Sequence, residues 1–159
     1  MKHTISVLVR NQFGVLARVA GLFSGRGYNI DSLSVAETQD PQFSRMTIVS
    51  HGDEAVLEQI VKQLNKLIDV VKVTDYHDHD KDCVMRELAL IKVHTTPQTR
   101  GEIMQIVNIF RAKVVDISPK TMMIEVTGPE AKLEALIEML RPFGIKEMVQ
   151  SGRVALSRK

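Results

Sequence analysis

Apolar and polar residues alternate across residues 3–9, where Ile5, Val7 and Val9 share one face. The spacing then becomes helical at Val15, Val19, Leu22 and Phe23. A period of two predicts a half-buried strand and a period near 3.6 an amphipathic helix; Gly25 and Gly27 end that helix. Residues 29–37 and 44–50 read as two further strands joined by a turn around Asp40 and Pro41. Val56, Leu57, Ile60, Val61, Leu64 and Leu67 form the stripe of a second helix, and residues 70–76 close the series as a strand.

The same order then recurs. Residues 88–94 predict a strand, 97–111 a helix, 113–117 and 122–127 two strands, and Leu133, Leu136, Ile137 and Leu140 a last helix. Gly14 answers to Gly101 and Gly52 to Gly128 at a shorter spacing, so the second unit has the tighter central hairpin. Each unit therefore reads as βαββαβ, an antiparallel four-stranded sheet with two helices on one face. The expected fold class is α+β with two tandem ferredoxin-like units, at residues 1–76 and 84–159 with a linker at 77–83. The second sheet face of so small a unit, or one of its edge strands, needs cover. A homodimer would supply it; packing of the two units of one chain is the alternative.

Composition narrows the function. The chain has 159 residues, 44% of them hydrophobic, and a formal charge of +2. That balance is too even to indicate nucleic acid or an anionic membrane as partner. Residues 153–159 are basic and read as a solvated end. Base-stacking modules of this strand order carry aromatics on their central strands, whereas Ser44, Arg45, Met46, Thr47, Ile48 and Val49 offer none. No paired carboxylates, catalytic triad, phosphate loop or zinc motif stands at usable spacing. A single cysteine, Cys83, rules out an internal disulfide framework. It lies beside His77, Asp78, His79, Asp80, Lys81 and Asp82, donors that suit a metal, but an extended run aims them in alternating directions and a hydrated linker is the plainer reading. No window approaches the roughly 18 apolar residues of a membrane span, and residues 1–10 show no leader-like run, so a cytoplasmic location is expected.

The stretch Asn11, Gln12, Phe13, Gly14, Val15, Leu16 stands where a strand gives way to a helix. N–H groups at a helix start have no partner within the helix, the macrodipole there favours an anion, and Gly14 has no Cβ to block close approach. Such a turn suits a ligand carboxylate, with the Asn11 amide as a second contact. Taken singly, Asn11 also fits a cap or turn residue, and Val15, Leu16 and Ile30 fit plain core positions.

Asn11, Gly14, Val15, Leu16 and Arg18, followed by Gly27, Tyr28, Asn29 and Ile30, resemble the amino-acid-binding motif of ACT domains. The likeness extends through residues 44–49, 63–70, 86–93, 110–112, 124–128 and 142–145. Over nearly its whole length the chain resembles the small regulatory subunits of acetohydroxyacid (acetolactate) synthase, and most of all the valine-sensitive isozyme III form of enteric bacteria. The resemblance implies a non-catalytic homodimer that binds valine, activates a large catalytic subunit and confers feedback inhibition in branched-chain amino acid biosynthesis. Thiamine diphosphate, magnesium and FAD would belong to that partner and none to this chain. It also implies a valine site between two ACT domains, with Asn11, Gly14, Val15 and Leu16 from one protomer and Asn29 and Ile30 from its neighbour. In the second unit, Thr96 and Pro97 look like a cap and first-turn residue, and no asparagine answers to Asn11. That unit is expected to bind no amino acid.

Overall fold

The computed structural model describes residues 2–77 and 81–159. It contains nine strands and four α-helices among them: β1 (Lys2–Arg10), α1 (Val15–Gly25), β2 (Ile30–Glu37), β3 (Phe43–His51), α2 (Glu54–Asn65), β4 (Val70–His77), β5 (Cys83–His94), α3 (Arg100–Ile109), β6 (Lys113–Ile117), β7 (Thr121–Gly128), α4 (Glu130–Leu140), β8 (Ile145–Gln150) and β9 (Val154–Ser157). A single 3-10 turn, Arg141–Phe143, links α4 to β8. The sheets run β2-β3-β1-β4 and β6-β7-β5-β8, with β9 pairing to β5. Both are the split βαβ arrangement expected of a ferredoxin-like unit.

In the first unit the pleat sends Ile5, Val7 and Val9 of β1 and Met46 and Ile48 of β3 to one side. There they meet Val15, Val19 and Phe23 of α1 and Leu57, Ile60 and Leu64 of α2. Phe23 and Leu64 are wholly buried, and burial of such side chains contributes about 1.5–3 kcal/mol each. The second unit repeats the scheme with Ala89, Ile91 and Val93 of β5 and Met122, Ile124 and Val126 of β7 under Ile103 and Val107 of α3 and Leu133, Leu136 and Leu140 of α4.

The chain divides into Met1–Val84 with Arg153–Lys159 on one side and Met85–Gly152 on the other. The terminal residues, expected as a solvated end, are instead part of the first unit. Val154–Ser157 is a strand, Ala155 is buried, and Arg153 is only 5% exposed. The cause is the polar outer face of β1, where Thr4 and Ser6 alternate with the core residues and need partners of their own. The Arg153 guanidinium donates to Thr4 Oγ1 at 2.7 Å, and Arg45 donates to Ser6 Oγ at 3.0 Å. Farther along, the Arg158 N–H donates to the Asp82 carbonyl at 2.6 Å. Of the expected linker, Asp78, His79 and Asp80 lie outside the described residues. His77 ends β4, Lys81 and Asp82 form a turn, and Cys83, buried, opens β5.

Candidate functional site

Strand β1 ends at Arg10, and the chain crosses the start of β3, where the Asn11 N–H donates to the Gln42 carbonyl at 2.7 Å. It then turns at Gly14, whose φ of 82° lies in the left-handed region where glycine meets no steric penalty. Nothing stands within 4 Å of the position a Cβ would take there. Gly14 caps α1 with no side-chain hydrogen bond, and the first turn carries no acidic residue. The Arg18 N–H bonds back to the Gly14 carbonyl, and the Val15 N–H makes only a long contact of 3.5 Å to Gln12 O. The N–H groups of Leu16 and Ala17 have no acceptor among the described residues. The helix start thus presents open donors at the positive end of its dipole, a combination that favours an anion.

Two other helix starts, those of α2 and α3, show what a closed terminus looks like, whereas α4, which follows Pro129, also lacks a side-chain cap hydrogen bond. In α2, Asp53 accepts from the Ala55 N–H at 3.0 Å. Before α3, the Thr96 N–H donates to Thr99 Oγ1 at 2.9 Å and the Thr99 N–H to Thr96 Oγ1 at 3.2 Å, the reciprocal pattern of a capping box. The Arg100 N–H already bonds to the Thr96 carbonyl, so Thr96 is the effective cap and Pro97 the first-turn residue. Gly101, expected to answer to Gly14, falls inside α3, and Thr99 holds the place just before the assigned helix.

The Asn11 amide is oriented by its neighbours. Its Nδ2 donates to Glu37 Oε1 at 3.0 Å and to the Pro41 carbonyl at 3.0 Å. A carboxylate and a carbonyl can only accept, so the amide must turn its NH2 towards them and leave Oδ1 as the outward acceptor. Asn11 lines an open cleft of about 400 Å3 together with Arg10, Gln12, Gln42 and Phe43. Leu16 is exposed on the helix start and Phe13 wholly so, whereas the Val15 side chain, 3% exposed, belongs to the core. Any contribution of Val15 to a ligand is therefore its backbone, since its side chain takes the core position that its helical spacing also allowed.

Asn29 and Ile30 lie at the opposite end of the sheet. Ile30 and His3 both sit opposite Ser50, whereas Glu37 sits opposite Ser44, beside the end of β1. Seven residue steps along the strand lead from Ile30 to Glu37, a rise of about 23 Å. Asn29 is exposed, with its carbonyl held by Ser50 Oγ at 2.8 Å, and Ile30 packs partly against the core. One protomer therefore brings together Asn11, Gly14, Val15 and Leu16 but not Asn29 and Ile30. The contact of Glu37 with Asn11 carried no signal in the sequence, since 26 residues separate the two.

Among the described residues no group of three or more His, Cys, Asp or Glu is placed to hold a metal ion, and no helix is long and apolar enough to cross a membrane. Two βαββαβ units in tandem, the first opening on an uncapped helix at the end of its first strand, define a tandem ferredoxin-like protein of the ACT type. Residues 5–72 match the family model described as AHAS small subunit-like ACT domain, and residues 86–159 the one described as small subunit of acetolactate synthase. The acetolactate synthase small subunit of Aquifex aeolicus is 57% identical over 99% of this chain and 82% of its own length. That of Mycolicibacterium smegmatis is 54% identical over 98% of this chain and 91% of its own. The crystal structure of the small subunit from Thermotoga maritima superposes with a TM-score of 0.90 at 43% identity, covering 100% of this chain and 98% of that one. The chain belongs to the acetolactate synthase small-subunit family, the regulatory and non-catalytic subunits whose catalytic activity resides in a separate large subunit.

Proposed function

We propose that this chain is a valine sensor of acetohydroxyacid synthase: a cytoplasmic homodimer that activates the large subunit and transmits feedback inhibition to it. The observation that carries the reading is the bare start of α1, with Gly14 in the left-handed region, no capping side chain and open N–H groups, preceded in the same turn by an Asn11 whose Oδ1 is left outward. The N–H groups receive the valine carboxylate and Asn11 Oδ1 accepts from its ammonium, while Leu16 offers apolar surface to the branched side chain. The capping box before α3 supports the complementary reading that the second unit takes no amino acid.

The topology suggests how the other half of the site is supplied. β2 is an edge strand with open backbone groups. If two copies pair β2 antiparallel about a two-fold axis near Leu33 and Ser34, Ile30 of each comes opposite Glu37 of the other. Asn29 and Ile30 then reach the Asn11 end of the neighbouring sheet, completing two equivalent sites per dimer. The same reading assigns thiamine diphosphate, magnesium and FAD, and the condensation of pyruvate with a second 2-oxo acid, to the catalytic subunit. The choice of valine rests on the resemblance to the isozyme III form alone, because one methylene of ligand difference is worth only about 1–3 kcal/mol and the site residues do not separate valine from leucine or isoleucine.

Titration calorimetry of the full chain with valine tests this proposal. We expect one site per protomer and a weaker affinity once the catalytic subunit is present, because valine binding and catalytic-subunit binding are linked reciprocally, typically by about 1–3 kcal/mol. No saturable valine binding, or a second site per chain, would overturn the assignment.

A further inference from the structure

Asn11 does not choose its own orientation. Both of its amide hydrogens are committed, one to Glu37 Oε1 and one to the Pro41 carbonyl, each at 3.0 Å. An unrestrained asparagine presents either a donor or an acceptor to a ligand by rotating its amide, and so does not distinguish an ammonium group from a hydroxyl or a carbonyl. Here the choice is made by Glu37, at the last position of β2, and by the turn that follows. Glu37 is exposed, and its second carboxylate oxygen has no hydrogen-bond partner among the described residues. It therefore adds a negative charge next to the one acceptor that Asn11 leaves outward.

Resting on the valine-sensor reading, we propose that Glu37 is the positioning residue that makes the site select α-amino acids over the corresponding carboxylic acids that lack the amino group. It acts in two ways. By accepting from Asn11 Nδ2 it holds Oδ1 outward as an acceptor, which a ligand ammonium satisfies and a ligand carbonyl does not. Its charge then favours the cationic group electrostatically. The N–H groups at the start of α1 read only the carboxylate, which both classes of ligand share, so they provide affinity without this discrimination. The site thereby responds to the aminated end product and ignores branched acids of the same shape.

The test measures binding of L-valine and of isovalerate, the same acid without the amino group, to the full-length wild type, Glu37→Ala and Glu37→Gln. Direct titration serves for valine and competition for isovalerate, with thermal unfolding as a check on folding. Wild type is expected to prefer valine at least tenfold. Glu37→Ala should lose at least tenfold in valine affinity while isovalerate binding stays within twofold, so that the preference collapses. Glu37→Gln keeps an acceptor for Asn11 but not the charge, and should fall between the two. Valine affinity within twofold of wild type in Glu37→Ala overturns the proposal. So does an equal loss for both ligands, which would make Glu37 only a support of the loop. Failure of wild type to bind valine at all is a different result, and overturns the sensor reading itself.

Discussion

Gly14→Asp probes the helix start directly. The substitution has two separable costs. In the folded chain Gly14 has φ of 82°, and an L-residue in that region costs about 1–2 kcal/mol, less for Asp, which visits it more readily. Nothing stands within 4 Å of the new Cβ, so no packing penalty is added, and the introduced carboxylate gains about 0.3–1 kcal/mol from the helix dipole. Stability should therefore fall by about 1 kcal/mol or less. Against a bound valine carboxylate the charge acts differently. Two negative charges about 4 Å apart repel by about 1 kcal/mol in water and about 4 kcal/mol at the effective dielectric of a protein surface. Because the site is open, the lower half of that range applies, and a tenfold loss in affinity corresponds to about 1.4 kcal/mol. We expect valine affinity to fall by about five- to sixtyfold and inhibition of the reconstituted enzyme to be largely lost, with activation retained. Gly14→Asn brings similar strain and bulk without the charge and should weaken valine less, by a margin that narrows at high salt as the repulsion is screened. Valine inhibition unchanged in Gly14→Asp, with activation intact, would refute the placement of the carboxylate at this helix start. Equal losses in the two variants would refute the electrostatic part of the reasoning.

Other consequences follow from the packing. Arg153→Ala removes a charged donor from the buried Thr4 hydroxyl and should lower stability by about 1–3 kcal/mol in denaturant unfolding, although the change lies in a segment that reads as a surface tail. Phe23→Ala empties a wholly buried position on the core face of α1 and should cost about 3–5 kcal/mol by the same measurement. Thr96→Ala opens the capping box before α3 and should cost about 1 kcal/mol while leaving valine affinity unchanged by calorimetry; a loss of valine binding would mean that the second unit contributes to the site.

The parts of the fold that were legible in the sequence are those set by local periodicity. Ile5, Val7 and Val9 on one face, and Val15, Val19 and Phe23 at helical spacing, are consequences of the pleat and the helical turn, and they fall in the core as expected. Gly14 was legible because a glycine between a strand and an amphipathic helix has few other uses. What escaped depends on distant contacts. The strand at Val154–Ser157 is only four residues long, and the partner of Arg153 lies 149 positions away. No local pattern distinguishes such a segment from a solvated one. Val15 shows a subtler limit: the first residue of a helix lies both at the candidate site and on the core stripe, and burial gives its side chain to the core. Orientation of the Asn11 amide was equally out of reach, since it depends on a carboxylate at the far end of another strand.

The grouping of Arg153–Lys159 with the first unit makes that unit discontinuous along the chain. During synthesis its two helices and the strands β1–β4 leave the ribosome early, yet Thr4 gets its arginine only after the whole of Met85–Gly152 has been translated. The first unit thus completes its packing last, and an expression fragment that stops in the region between the units yields a first unit lacking part of its own structure.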